Sequence, residues 1–134
     1  MYRPNFTGTW KFSPSRSVLQ VAPPDSTIFV VEHVEPVFRL SRTHVIGKTS
    51  DTFTIELTTD GKEVVVNRGE LRIRARAYWE GNTLVVDSAV DRGEDAGKNI
   101  VRYTLADPPH VLVAEERLRS NRLNYDNRWV LERQ

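Results

Sequence analysis

Along much of the chain, apolar and polar side chains alternate one by one. Phe53, Ile55 and Leu57 alternate with Thr52, Thr54 and Glu56. Leu71, Ile73, Ala75, Ala77 and Trp79 alternate with Arg72, Arg74, Arg76 and Tyr78. Successive side chains of a strand point to opposite faces, so a period of two predicts strands with one face buried and the other in water. By the same argument the Arg72/Arg74/Arg76 row is a solvated outer face. Ten such segments follow one another, at 8–13, 27–34, 37–45, 51–58, 62–67, 70–79, 82–90, 98–105, 110–118 and 124–132.

Turn chemistry separates them. Asp60-Gly61 and Gly81-Asn82 suit tight hairpins, because glycine takes positive φ without steric cost. Glu35-Pro36 and Asp107-Pro108-Pro109 stop strands, because proline cannot donate to a ladder. Ser50-Asp51 and Asn121 are softer breaks, and the polar run from Arg92 to Lys98 reads as a longer loop. Residues 13–26, rich in Pro and Ser, read as an extended connection over the surface. Residues 112–119 hold good helix formers but are read as a strand, since a lone helix would be an odd insertion among so many hairpins.

Short strands joined by short connections pair consecutively and antiparallel. Closing such a meander on itself removes exposed edges, which favours a barrel over a sandwich. The expectation is an all-β protein: an antiparallel up-and-down (meander) β-barrel of about ten strands, filling residues 1–134 as one domain. A barrel wider than about eight strands has room for a ligand.

Composition narrows the function. The 134 residues carry 19 Lys plus Arg against 18 Asp plus Glu, a formal net charge of +1. Both signs are spread evenly along both halves. Nucleic-acid binders draw affinity from a basic surplus or stripe, so no nucleic-acid partner is expected. The chain has no cysteine, which excludes disulfides, Cys-ligated zinc and thiol chemistry. No apolar run reaches the roughly 18 residues of a membrane-spanning helix. Met1 runs into Tyr2-Arg3-Pro4-Asn5 without an apolar leader. The expected compartment is therefore the cytoplasm, or the periplasm if an export signal has been removed.

Asn5-Phe6-Thr7-Gly8-Thr9-Trp10-Lys11 resembles the first strand of the calycin superfamily, the lipocalins and fatty-acid-binding proteins, whose Gly-x-Trp closes one end of the barrel. The length and strand number are similar to those of fatty-acid-binding proteins. Tyr78-Trp79-Glu80-Gly81-Asn82-Thr83-Leu84-Val85-Val86 and the closing Trp129-Val130-Leu131-Glu132-Arg133-Gln134 resemble uncharacterised bacterial lipocalin-like proteins. The resemblance implies a lipocalin-like fold and a small hydrophobic or amphipathic ligand inside the barrel. It also implies a basic residue packed on Trp10, for which Arg128 and Arg133 both qualify. Two departures stand out. Fatty-acid-binding proteins carry a helix-turn-helix lid after the first strand, where this chain has the helix-breaking Pro14, Pro23 and Pro24. Their terminal Arg-x-Tyr grip on a carboxylate is absent, since the last strand here reads Asn127-Arg128-Trp129-Val130-Leu131.

If the more apolar face of each strand points inward, the interior is mostly apolar, with Arg42, His44, Tyr103, Glu116, Tyr125 and Asn127 as its polar groups. That mixture suits a small molecule. Arg42 and Glu116 could equally pair with each other, and the tyrosines could simply pack. His33, His44 and His110 show no metal-ligand spacing, so no metal and no cofactor are expected. A homodimer is compatible with the sequence. Two other function classes stay open: a non-catalytic interaction barrel with a filled interior, and a small-substrate enzyme using His44 and Glu116 as an acid/base pair.

Overall fold

A computed structural model of the chain describes residues 3–106 and 110–134. It contains ten strands: β1 Gly8–Phe12, β2 Ser26–Val34, β3 Val37–Ile46, β4 Thr49–Thr58, β5 Val64–Arg68, β6 Leu71–Glu80, β7 Thr83–Arg92, β8 Asp95–Ala106, β9 Val111–Ser120 and β10 Asn124–Arg133. They form one antiparallel sheet in the order β4-β3-β2-β1-β10-β9-β8-β7-β6-β5. The first and last strands pair, with Trp10 opposite Arg133, and the sheet curls into a barrel that is nearly closed. The seam left without ladder bonds lies between β4 and β5. There Arg68 pairs with Asp51, and Asp60 bridges to Tyr78. No helix occurs among the described residues, so none is long and apolar enough to cross a membrane.

Register sorts the inward side chains into rows across the wall, because directly opposed residues share a face. One row runs Trp129–Ala114–Tyr103–Leu84–Trp79, the next Asn127–Glu116–Val101–Val86–Ala77, and a third Tyr125–Leu118–Asn99–Ser88–Ala75. A fourth, Ser120–Gly97–Val90–Ile73–Val66, lies at the rim. On the opposite wall, Trp10, Phe29, Arg42 and Phe53 form one row and Thr27, His44 and Asp51 another. Burial falls along this series. The first row is buried apart from Trp79, while every residue of the rim row is partly exposed. The barrel is therefore packed at one end and open at the other.

The packed end is plugged by the N-terminal residues. Phe6 is fully buried against His33, Phe38, Trp79 and Tyr103. His33 Nδ1 accepts from the Phe6 amide at 3.2 Å, and the Trp10 indole donates to the Phe6 carbonyl at 3.0 Å. Burial of this aromatic set supplies much of the stabilisation of a small domain.

Several expected boundaries move. Arg92–Lys98 is no loop: Gly93-Glu94 makes a two-residue turn, and β7 and β8 continue on either side of it. Polarity misleads there because strands at an open rim meet water on both faces. The β3–β4 turn falls at Gly47-Lys48, with Gly47 at φ 59°, and Ser50-Asp51 lies within β4. Gly81-Asn82 does join β6 to β7. Asp60-Gly61 makes no hairpin, because β4 and β5 do not pair, and Gly61 instead donates to the Ala77 carbonyl at 2.8 Å. The break at Asp107-Pro108-Pro109 lies outside the described residues. Residues 112–119 are strand, their helix propensity outweighed by pairing with β8 and β10.

Candidate functional site

The connection between β1 and β2 forms no lid. After a turn at 13–17, Val18 exchanges backbone hydrogen bonds with Arg128, at 2.9 and 2.7 Å, beside the half of β10 that β1 does not reach. Gln20 then fixes the strand. Its amide donates to Asn127 Oδ1 at 2.8 Å, and its side-chain oxygen accepts from the Asp126 amide at 2.7 Å. The prolines keep the segment extended, so it patches the wall of the barrel.

Below the open rim, between the two walls, lies a cavity of about 60 Å³. Its lining is half apolar (Phe29, Leu40, Val101, Ala114 and Trp129, with the ring of Tyr103) and half polar (Arg42, His44, Asn99 and Glu116). Glu116 organises the polar half. Its carboxylate accepts from Asn99 Nδ2 at 3.1 Å, Asn127 Nδ2 at 3.1 Å and Trp129 Nε1 at 3.0 Å. All three partners are neutral donors, and no cation among the described residues lies within ion-pair distance of this carboxylate. Arg42 faces the same cavity but makes no ion pair within 4 Å among the described residues. Its guanidinium lies over the Phe53 ring at 5.7 Å, and its Nε is buried without a hydrogen-bond partner. Asn99 Oδ1 is likewise buried and unpartnered.

His44 shares a 2.6 Å hydrogen bond with the fully buried Thr27 hydroxyl through Nδ1, and its ring lies 5.6 Å from that of Trp129. Burial first, then the Arg42 charge, lowers its pKa to about 4, against opposing pulls from Asp51 and Glu116. The unfolded chain therefore binds more protons between about pH 4 and 6.5. This contribution to stability is full above the ordinary histidine value and is lost as pH falls through the window. Urea midpoints at pH 7 and pH 5 should thus separate more for the native chain than for His44→Gln. Equal separations would show that the imidazole is free to charge. Burial also raises the Tyr103 and Tyr125 hydroxyls above the usual phenol range. Arg42 opposes the shift in both, and Glu116 adds to it.

Of the six polar interior residues expected from sequence, Arg42, His44, Tyr103 and Glu116 line the cavity. Tyr125 is inward but stands nearer the rim, half-buried beside Leu118. Asn127 is buried and supports the site through its bonds to Glu116 and Gln20. The two candidates for Trp10 separate: the Arg133 guanidinium lies 4.4 Å from the indole centroid, whereas Arg128 points outward and pairs with Glu115 at 2.6 Å. Gly8 leaves room for this stacking, since a Cβ there would stand 2.8 Å from Arg133 Nη1. Asn99 and Thr27 were not anticipated. Asn99 could have been reached by counting two residues back from Val101, Tyr103 and Leu105 on the same face. Thr27 carries no signal of its own. The His44–Glu116 pair is not in hydrogen-bond contact, and each group is held by other partners.

The arginines of β6 lie outside. Arg76 and Arg74 reach Asp87 and Asp91 of β7, at 3.4 and 3.6 Å. No three His, Asp or Glu side chains converge as metal ligands among the described residues.

No family model and no curated protein matches the sequence. Solved structures do match along the full length. A secretory abundant heat soluble protein from Ramazzottius varieornatus superposes with a TM-score of 0.66 at 7% identity, over 96% of this chain and 95% of the other. Human cRBP IV gives 0.62 at 12% identity, over 98% and 99%. The fatty acid-binding protein of Drosophila melanogaster brain gives 0.56 at 14% identity, over 96% and 99%. With ten antiparallel strands in a nearly closed meander and a Trp10–Arg133 stack at the packed end, the chain has the calycin barrel fold of the lipocalins and fatty-acid-binding proteins.

Proposed function

We propose that this protein is a non-enzymatic carrier that takes one small amphipathic molecule into its barrel, polar end first. The observation that carries the reading is the course of the interior from rim to core. Phe53, Ile73, Val90, Leu118 and Tyr125 face inward yet stay partly exposed. Among and below them lies the polar cavity of Arg42, His44, Asn99 and Glu116. Apolar side chains facing a water-filled mouth are costly to leave uncovered, and an apolar tail covers them. The small cavity fits a head group of a few non-hydrogen atoms, while the tail occupies the funnel above. The fatty acid-binding protein among the structural matches supports the same reading.

Titration with Nile red, an uncharged fluorescent amphiphile, tests it, together with native mass spectrometry of the purified chain. Saturable one-to-one binding is expected. Ala114→Leu fills the cavity and should weaken binding at least tenfold, for a stability loss of about 1–3 kcal/mol from overpacking. A folded native chain that binds no probe and carries no ligand would mean a solid interior. The domain would then be an interaction barrel working through its outer surface.

A further inference from the structure

We infer that the interior site selects a neutral head group that both donates and accepts hydrogen bonds, of the primary carboxamide kind, over a carboxylate or an ammonium ion. This rests on the carrier reading above and specifies the chemistry of its ligand. The polar pole has one cation, Arg42, and one anion, Glu116, both facing a cavity of about 60 Å³. They do not neutralise each other by contact. The Glu116 carboxylate is taken up by Asn99, Asn127 and Trp129.

That arrangement leaves two buried groups open: Arg42 Nε, a donor, and Asn99 Oδ1, an acceptor. The orientation of the Asn99 amide follows from chemistry. A carboxylate only accepts, so the Asn99 side chain must turn its NH2 to Glu116, which leaves its oxygen without a partner. A buried donor and a buried acceptor left unmade are each unfavourable, and a ligand that completes both gains most.

The three head-group charges then separate. A carboxylate accepts from Arg42 but meets the lone pairs of Asn99 Oδ1 and the charge of Glu116 at close range. An ammonium ion satisfies Asn99 and Glu116 but faces the Arg42 cation. A carboxamide accepts from Arg42 through its oxygen and donates to Asn99 through its nitrogen. It brings no net charge into a pole that has none, so no buried charge goes uncompensated. A terminal carboxamide has three non-hydrogen atoms, within the room available.

Octanamide, octanoate and octylammonium share one tail and differ only in the head group. Their affinities at pH 7.4, measured by displacement of Nile red from the full chain, test the inference. Octanamide should bind at least tenfold more tightly than either ion. Asn99→Asp turns the open acceptor into an anion and should move the preference to octylammonium. Arg42→Met should do the same by removing the opposing cation. Arg42→Lys, which keeps the charge, guards against simple misfolding: it should still exclude octylammonium. Octanoate binding as tightly as octanamide would overturn the neutral-head-group assignment and leave the carrier reading standing. A chain that binds Nile red but none of the three would also overturn the assignment. A chain that binds neither Nile red nor any of them would overturn the carrier reading with it.

Discussion

Trp10→Ala should destabilise the barrel by about 3–5 kcal/mol, the range for deleting a large buried aromatic. Three losses coincide at this position. The indole is fully buried, so truncation leaves a void at the packed end. Its Nε1 donates to the Phe6 carbonyl, 3.0 Å away, so the plug loses one of its ties. Its outer face carries the Arg133 guanidinium, which also donates to the Thr7 carbonyl at 3.0 Å, so the joint between the first and last strands loosens. A domain of this size is stable by only about 5–15 kcal/mol, and the melting temperature should fall by roughly 10–20 °C. Trp79→Ala is the control, because Trp79 is partly exposed and closes no strand joint; it should cost clearly less. Equal losses in the two variants would mean that Trp10 acts only through its size.

Glu116→Leu should cost about 2–5 kcal/mol, although it exchanges a partly exposed carboxylate for an apolar side chain of similar bulk. The cost arises in what the carboxylate leaves behind. Asn127 and Trp129 are buried, and their N–H groups lose their acceptor; each unsatisfied donor costs about 1–3 kcal/mol. Arg42 is then the one formal charge on the cavity wall. Glu116→Gln keeps an acceptor oxygen and should recover most of the loss. In a double-mutant cycle, Arg42→Met should be less harmful in the Glu116→Leu background than alone, with a coupling of about 0.5–3 kcal/mol. Additivity within experimental error would show that the two charges do not share an environment. Both variants are read by urea unfolding, in which the midpoint reports stability while the slope stays constant.

Much of this architecture is legible in the sequence because the period of two is written without interruption where one strand face is buried. The runs through Ile55 and Ala75 fix both the strands and their inward faces. Legibility fades toward the rim. Gly97, Val90 and Asp95 meet water on both faces, so polarity no longer tells inside from outside, and a hairpin reads as a loop. The seam between β4 and β5 is also invisible, since nothing in Asp60-Gly61 says that the strands it joins will not pair. At the site, Arg42, His44, Tyr103 and Glu116 follow from alternation alone. Which of them touch depends on register between strands distant in sequence, so the Glu116 bonds to Asn99 and Asn127 emerge only from the assembled barrel. Arg128 and Arg133 differ by an odd number of positions. They must point to opposite faces, but only the end of the strand decides which one meets Trp10.

The pairing of β1 with β10 has a further consequence for how the chain can be rewired. The sheet order runs from β4 back to β1, then from β10 back to β5. If the present ends were linked and the chain opened in the connection between β4 and β5, the strands would follow one another along the sheet in strict succession. Every ladder would become a hairpin with its neighbour in sequence. The one ladder between strands distant in sequence, with Trp10 opposite Arg133, would be local. Folding rates of small domains rise as such contacts shorten, and the seam is the place where the barrel can be cut without severing a single ladder.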